Sequence, residues 1–440
     1  MSGESAAGLE CVRVRLATDR WRGIDDRHAV RLLVRHVPTP MPFRPLVFLT
    51  VLLHVYIGLR VLPMIDGTSR IASLAVLVAL LASAATMPLP FLAFRGHGRS
   101  IGRSWQWIGL VAMGWFSSMV VATLLRDVVL LVAWMAQAAD VMAPDASMRL
   151  ALWSAIAVPV VATASSLIGF LNARRTARVV RVDVPIAGLP SALQGFTIAQ
   201  LSDLHVGPTI RHGYIQRIVD RVNRLEADAI AITGDLVDGD VPTLRPHIAP
   251  LTGLKARHGT FVVTGNHEYY AGATAWVAEL RRMGLRVLQN EHVLLAARGT
   301  RGDMTARGAQ TDDEADAATL LLAGVNDFTA GHFDAAQASD PQGALSGAPP
   351  GVATRILLAH QPRSAVAASA AGFQLQLSGH THGGQFFPWN FFVPLQQPYV
   401  SGLHRREGMW IYVSRGTGYW GPPKRVGAPS EITLVRLVVA

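Results

Sequence analysis

Cysteine is nearly absent from this chain: 440 residues contain one, Cys11. That excludes an intramolecular disulfide and fits a reducing compartment. Charge is scarce too, at 16% Asp, Glu, Lys and Arg, against roughly 25% in an ordinary soluble domain. Half of the residues are hydrophobic, so a membrane portion is expected. Acidic residues are the rarer sign: 30 against 40 basic ones give a formal net charge of +10. The surplus is mostly arginine and lies largely in the first half. A basic surface suits nucleic acid or anionic lipid; beside long apolar segments, lipid is favoured.

The second half is organised by five polar clusters, each behind a short apolar run. They are Asp203-Leu204-His205, Gly234-Asp235, Gly265-Asn266-His267-Glu268, His360 and Gly379-His380-Thr381-His382. The runs are 196–202, 229–233, 261–264, 355–359 and 375–378. Each reads as a buried strand emptying into a loop. A sheet that gathers these ends brings Asp, His and Asn side chains together, a donor set suited to one or two divalent transition metals. No cysteine stands nearby, which argues against a closed structural zinc site. Two cations roughly 3.5–4 Å apart can activate water and clamp the oxygens of an in-line displacement at phosphorus.

The ordered set D-x-H, G-D, G-N-H-E, a lone H and G-H-x-H resembles the calcineurin-like metallophosphoesterase superfamily over about residues 194–440. The tail around Ser414–Gly418 and Pro429–Ile432 resembles its membrane-associated bacterial branch. The resemblance implies a four-layer α/β/β/α sandwich behind the apolar region. It also implies one metal on Asp203, His205, Asp235 and His382, and a second on Asp235, Asn266, His360 and His380. Asp235 would bridge the two. His267 would stand near the leaving-group oxygen as general acid or charge stabiliser. The two divalent ions would be Mn, Fe, Zn or Co. Residue types alone do not choose among these metals.

Four apolar segments, near 45–64, 71–94, 105–136 and 150–171, each reach the roughly 20 residues needed to span a bilayer. Pro88 and Pro90 are expected to kink the second. Arg126 and Asp127 interrupt the third, and are expected to mark a helix end with an interfacial continuation rather than an intramembrane ion pair. The expected organisation is a basic arm over 1–44, a transmembrane region over 45–171, a linker over 172–193 and a catalytic domain over 194–440. The arm is not a secretory signal, and Met41 is a candidate alternative start. Arginines flank the first segment, the 95–104 loop and the end of the fourth segment. Both termini, and the catalytic domain, are therefore expected on the cytoplasmic side of the inner membrane.

Helices are expected at 214–225 and 274–283, strands at 286–289 and 319–325, and a polar insertion at 297–318. The aromatics of 384–425 fit either a loop core or a membrane-facing rim. The expected activity is hydrolysis of a phosphodiester or pyrophosphate, lipid- or nucleotide-linked, with a rim favouring the lipid. A metal-binding sensor without turnover and a membrane-recruited nuclease are the alternatives. Nucleic acid is disfavoured because residues 194 onward lack a basic stripe interleaved with aromatics. Glu268 is expected to be structural, and Arg415 to form a salt bridge.

Overall fold

The computed structural model describes residues 43–94, 101–297 and 319–440. Most of the expected basic arm, the 95–100 part of the basic loop and nearly all of the polar insertion lie outside them. The chain divides into two units at Tyr56–Ile57. Of the first, only the start of helix α1 is described.

Four helical stretches among the described residues are long and apolar enough to cross a membrane: Pro45–Asp66, Arg70–Ala93, Arg103–Ala138 and Pro144–Arg174. They comprise α1 (Phe43–Asp66), α2 (Arg70–Thr86) with the short α3 (Leu89–Phe94), α4 (Arg103–Ala138) and α5 (Pro144–Arg174). The interruption between α2 and α3 falls at Pro88, which supplies no backbone donor. Gly109 of α4 packs over this break, where a Cβ would lie 2.5 Å from the Thr86 carbonyl. The helix end expected at Arg126–Asp127 is absent, because α4 runs unbroken through both residues. Asp127 instead accepts two hydrogen bonds from Arg60 of α1, at 3.0 and 2.9 Å. Arg126 donates to the Ala151 carbonyl at 3.1 Å.

Beyond α5 the chain builds two six-stranded mixed sheets. The first has the order β1-β12-β2-β3-β4-β5, the second β10-β11-β9-β8-β7-β6. In the first sheet, β2 (Thr197–Leu201), β3 (Ala229–Thr233), β4 (Thr260–Val263) and β5 (Arg286–Val287) are mutually parallel. β12 (Glu431–Val439) runs antiparallel to β2 and parallel to β1 (Arg178–Ile186). The stretch 172–193, expected as a linker, therefore ends α5 and supplies an edge strand. In the second sheet, β7 (Thr319–Gly324), β8 (Thr354–Leu358), β9 (Leu375–Ser378) and β11 (Met409–Val413) are parallel. β6 (Glu291–Ala296) and β10 (Gly402–Arg406) are antiparallel edges.

Side chains alternate faces along a strand, and the burial follows that rule. Ile198, Ala231, Phe261 and Val263 of the first sheet meet Leu320, Leu322, Ile356, Leu358 and Leu377 of the second. The outer face of the first sheet is covered by α6 (His212–Asn223), α7 (Val241–Ile248) and, after the short α8 (Asn266–Ala271), α9 (Ala273–Arg282). In α6, Ile215, Ile218, Val219 and Val222 recur at helical spacing and are buried. The outer face of the second sheet carries α10 (Ala365–Ala370) through Ala365 and Ala368. Each fully buried aliphatic side chain contributes about 1.5–3 kcal/mol. The architecture is the expected α/β/β/α sandwich.

The sandwich is also joined to α4 and α5 by side chains. Lys424 donates from Nζ to the Gly114 carbonyl and Ser166 Oγ, both at 3.0 Å, and to Ser118 Oγ. The Arg425 amide bonds the Gly169 carbonyl at 2.9 Å, and Asn172 donates back to the Arg425 carbonyl at 3.2 Å. Arg174 reaches the Thr209 carbonyl and the Tyr419 hydroxyl at 2.9 and 3.2 Å.

Candidate metal centre

The five motif strands divide between the sheets: β2, β3 and β4 lie in the first, β8 and β9 in the second. Their C-terminal ends meet across the sandwich, so the cluster forms between two sheets and not on one. Asp203, His205, Asp235, His380 and His382 all have positive φ, from 47° to 70°. That conformation is sparsely populated by non-glycine residues, and its concentration here is the kind of strain that marks a functional site. Gly265 permits the closest approach. A Cβ there would sit 2.5 Å from the Asp235 amide nitrogen and collide with its carboxylate.

Asp203, His205 and His382 present donor atoms that lie together, and so do Asp235, His360 and His380. Asp235 Oδ2 lies between the groups, 3.1 Å from His360 Nε2 and 3.8 Å from His205 Nε2. Within the groups, His205 Nε2 is 3.0 Å from His382 Nε2, and His360 Nε2 is 3.2 Å from His380 Nδ1. The tautomers are legible from the outer partners. His205 Nδ1 faces Asp238 at 2.9 Å and His360 Nδ1 faces the Thr233 carbonyl at 2.8 Å. Each Nδ1–H donates outward, leaving the Nε2 lone pair turned to the centre.

The donor chemistry fits divalent cations. Asp203 Oδ2 and Asn266 Oδ1 are buried and accept no hydrogen bond from any described residue, an arrangement that costs free energy unless something positive sits there. Burial raises the Asp203 carboxyl pKa. Burial would also raise Asp235, but His360, His267 and His205 hold it well below the usual carboxylate range. Burial and the charge of His360 push His380 down to about 3, and burial with Arg425 holds His382 low, so both stay neutral, as ligands must. Burial disfavours charge on His360, yet Asp235 beside it raises its pKa well above normal.

His267 belongs to neither of these groups but forms a third with His205 and Asp238. Its Nδ1 is 2.7 Å from Asp238 Oδ1, its Nε2 3.9 Å from Asp235 Oδ2, and its amide donates to Asp235 Oδ1 at 2.9 Å. Burial works against its charge, but Asp235 and Asp238 hold its pKa at about 9. Asp238, which the motif reading left out, thus serves two histidines. Its one sequence signal is its place three residues past Asp235. Glu268 is structural, as expected: its carboxylate takes the amides of Gly265, Asp235, Leu236 and Val237 at 2.6–3.3 Å. Arg415 pairs with Glu431 at 3.3 Å. Arg425, another residue without a motif signal, is buried and donates to the carbonyls of His382, Arg415, Gly418 and Ala428. Its Nη2 also lies 3.0 Å from His382 Nδ1.

The aromatic stretch divides. Phe386 and Tyr419 are buried, and Phe386 lies under the Lys424 ammonium at 5.2 Å, so it is core and not rim. Phe387, Trp389, Phe391, Phe392 and Trp420 are exposed. Trp420 meets the His267 ring edge-on at 5.7 Å.

Carboxylates and imidazoles converging at the ends of two sheets are a donor set suited to divalent metals, the class of site a metallohydrolase uses. Residues 196–384 match the calcineurin-like phosphoesterase family. A Bos taurus transmembrane protein with metallophosphoesterase domain is 40% identical over 316 residues, 70% of this chain and 68% of that protein. Its Danio rerio namesake is 38% identical over 279 residues, 61% of this chain and 59% of that one. An uncharacterized metallophosphoesterase of Helicobacter pylori strain J99 is 38% identical over 243 residues, 55% and 59% of the two chains. The chain belongs to the calcineurin-like phosphoesterase family, whose members are phosphoester hydrolases that generally use a dinuclear metal centre. Its four apolar helices and transmembrane relatives make it a membrane protein.

Proposed function

We propose that the chain is a membrane-anchored, dimetal-dependent phosphoesterase of the membrane-associated bacterial branch, acting on a phosphodiester or pyrophosphate. The observation that carries this is the pair of donor groups with Asp235 Oδ2 between them. Asp203, His205, Asp235 and His382 would hold one divalent ion, and Asp235, Asn266, His360 and His380 the other. Mn, Fe, Zn and Co all suit such donors. Bound there, two such ions would supply an activated water and neutralise charge on the phosphoryl oxygens.

The chain's own residues do the rest. Asp238 fixes His205 and His267 through their Nδ1 atoms, so that both Nε2 atoms face the centre. His267, protonated at neutral pH, gives its Nε2 proton to the departing oxygen. Trp420 packs on the His267 ring and limits water on that side. The arginines after α5 favour a cytoplasmic catalytic domain on the inner membrane. The exposed aromatics beside Trp420 favour a lipid-linked substrate.

The test uses the full-length protein in detergent, stripped of metal and assayed on bis-p-nitrophenyl phosphate with and without Mn²⁺. Metal-dependent cleavage, lost in Asp235→Ala, is expected. Equal activity of Asp235→Ala and the unsubstituted protein would overturn the reading. A Phe391→Ser Phe392→Ser variant should lose more turnover on vesicle-borne than on soluble diesters; equal losses would remove the lipid-linked substrate.

A further inference from the structure

Helices α4 and α5 are longer than a bilayer requires. They contain 36 and 31 residues, whereas a span needs roughly 20. A single span thus leaves about 16 residues of α4 and about 11 of α5 in excess. Every contact with the sandwich described above falls within two such stretches, 103–118 and 164–174: Gly114 and Ser118 on α4, and Ser166, Gly169, Asn172 and Arg174 on α5. The sandwich thus meets the helix pair at the level of the N-terminal half of α4 and the C-terminal half of α5.

The exposed aromatic segment lies at that level. Trp389 Nε1 donates to Ser117 Oγ at 3.0 Å. Phe387 and Phe391 pack edge-on at 5.8 Å, and Trp389 lies against Phe392 at 5.6 Å. Yet Phe391 remains 66% exposed and Leu395 69%. From Gly383 to His404 the sequence holds no Asp, Glu, Lys or Arg, so entry into an apolar phase strips no charge of its water. Tryptophan and its aromatic neighbours suit the headgroup boundary, where one end of the ring is apolar and the other wet.

We propose that the segment Phe387–Leu395 is an interfacial anchor that enters the headgroup layer of the bilayer crossed by the apolar helices. It thereby holds the mouth of the metal centre, marked by Trp420, at the lipid surface. The occupant is lipid rather than a protein partner, because the patch is continuous with the surface of α4, a helix long and apolar enough to cross the bilayer. This deepens the proposed function by fixing where the phosphoester is met, but the anchoring itself does not depend on turnover.

Cys11 is the chain's only cysteine, so a Cys11→Ser background accepts single reporters. Phe391→Cys, Leu395→Cys and, as a control on the β10–β11 turn, Glu407→Cys are labelled with an environment-sensitive fluorophore. The full chain is then placed in phosphatidylethanolamine–phosphatidylglycerol vesicles carrying nitroxide lipids. Labels at 391 and 395 should shift to the blue and lose most of their emission, while that at 407 stays as in water. Labels at 391 and 395 that behave like the one at 407 would overturn the proposal and leave a protein partner as the occupant. Photo-crosslinking of the unsubstituted chain from a diazirine lipid, mapped by mass spectrometry, repeats the test without substitutions; adducts absent from 387–395 would refute it. Neither readout uses metal or catalysis, so failure of the phosphoesterase reading would not be mistaken for failure of this one.

Discussion

Replacing Asp238 with alanine removes one oxygen that two imidazoles share, His205 Nδ1 at 2.9 Å and His267 Nδ1 at 2.7 Å. The two losses should appear in different observables. A hydrogen bond to a charged group contributes about 1.5–3 kcal/mol. At about 1.36 kcal/mol per factor of ten, loss of the His267 bond should lower kcat roughly 10- to 150-fold at saturating metal. The His205 bond orients a proposed ligand, so its loss should raise the metal concentration for half-maximal activity by about 10- to 100-fold. Asp238→Asn keeps an acceptor oxygen without the charge and should fall between. The assay is bis-p-nitrophenyl phosphate hydrolysis across a Mn²⁺ titration, with bound metal counted by mass spectrometry. If kcat and half-saturation both stayed within about twofold of the unsubstituted protein, Asp238 would have neither role, and the proton held on His267 would need another cause.

Other expectations follow from the same geometry. Asp235→Ala should retain less bound metal than Asp203→Ala, because Asp235 Oδ2 stands between both donor groups; elemental analysis after dialysis checks the order. Gly265→Ala forces a Cβ against the Asp235 amide and carboxylate, so thermal unfolding should show a loss of about 1–3 kcal/mol from overpacking. An unchanged melting temperature would mean that the β3 and β4 loops give way freely. Glu279 is buried, and hydrogen bonds from Arg282 and then Arg245 hold its pKa at about 2. A folded value below the unfolded one of about 4.3 gives stability that is whole above that pH and is lost as pH falls through about 2. The melting gap between the unsubstituted protein and Glu279→Gln should therefore narrow from pH 5 to pH 3. A gap independent of pH would refute the charge argument.

The local part of the site was legible in the sequence, and the non-local part was not. Each motif follows an apolar run, and β2, β3, β4, β8 and β9 end within a residue or two of Asp203, Gly234, Gly265, His360 and Gly379. Nothing in those runs says which strands pair, so one sheet and two sheets read alike. The strand β1 hides for the same reason. Its Arg178 and Arg181 read as a helix flank, and its partner β12 begins at Glu431, far along the chain. The α6 helix was legible because its apolar residues recur at 3.6-residue spacing. The continuity of α4 was not, since a charged pair looks like an ending until Arg60 and the Ala151 carbonyl are seen to receive it. Positive φ at five site residues is equally invisible, because aspartate and histidine carry no glycine-like signal.

The adjacent residues Lys424 and Arg425 bear on what the membrane helices do for the site. Lys424, one of two lysines in the chain, directs its ammonium between α4 and α5, where burial lowers its pKa to about 8. Arg425 turns the other way and holds the His382 carbonyl at 3.0 Å while touching its ring. Its own amide is bonded to Gly169, where a Cβ would lie 2.6 Å from Lys424 Cγ. One short loop therefore fixes a helix pair with one residue and a candidate ligand with the next. Edge strand β1 starts four residues after α5 ends, so the chain link offers little slack to absorb movement. A displacement of α4 against α5 would act on Lys424 and, through the adjacent Arg425, on His382, since close-packed interiors transmit strain. The apolar helices are on this account part of the scaffold that sets the position of His382, in addition to tethering the sandwich to a membrane.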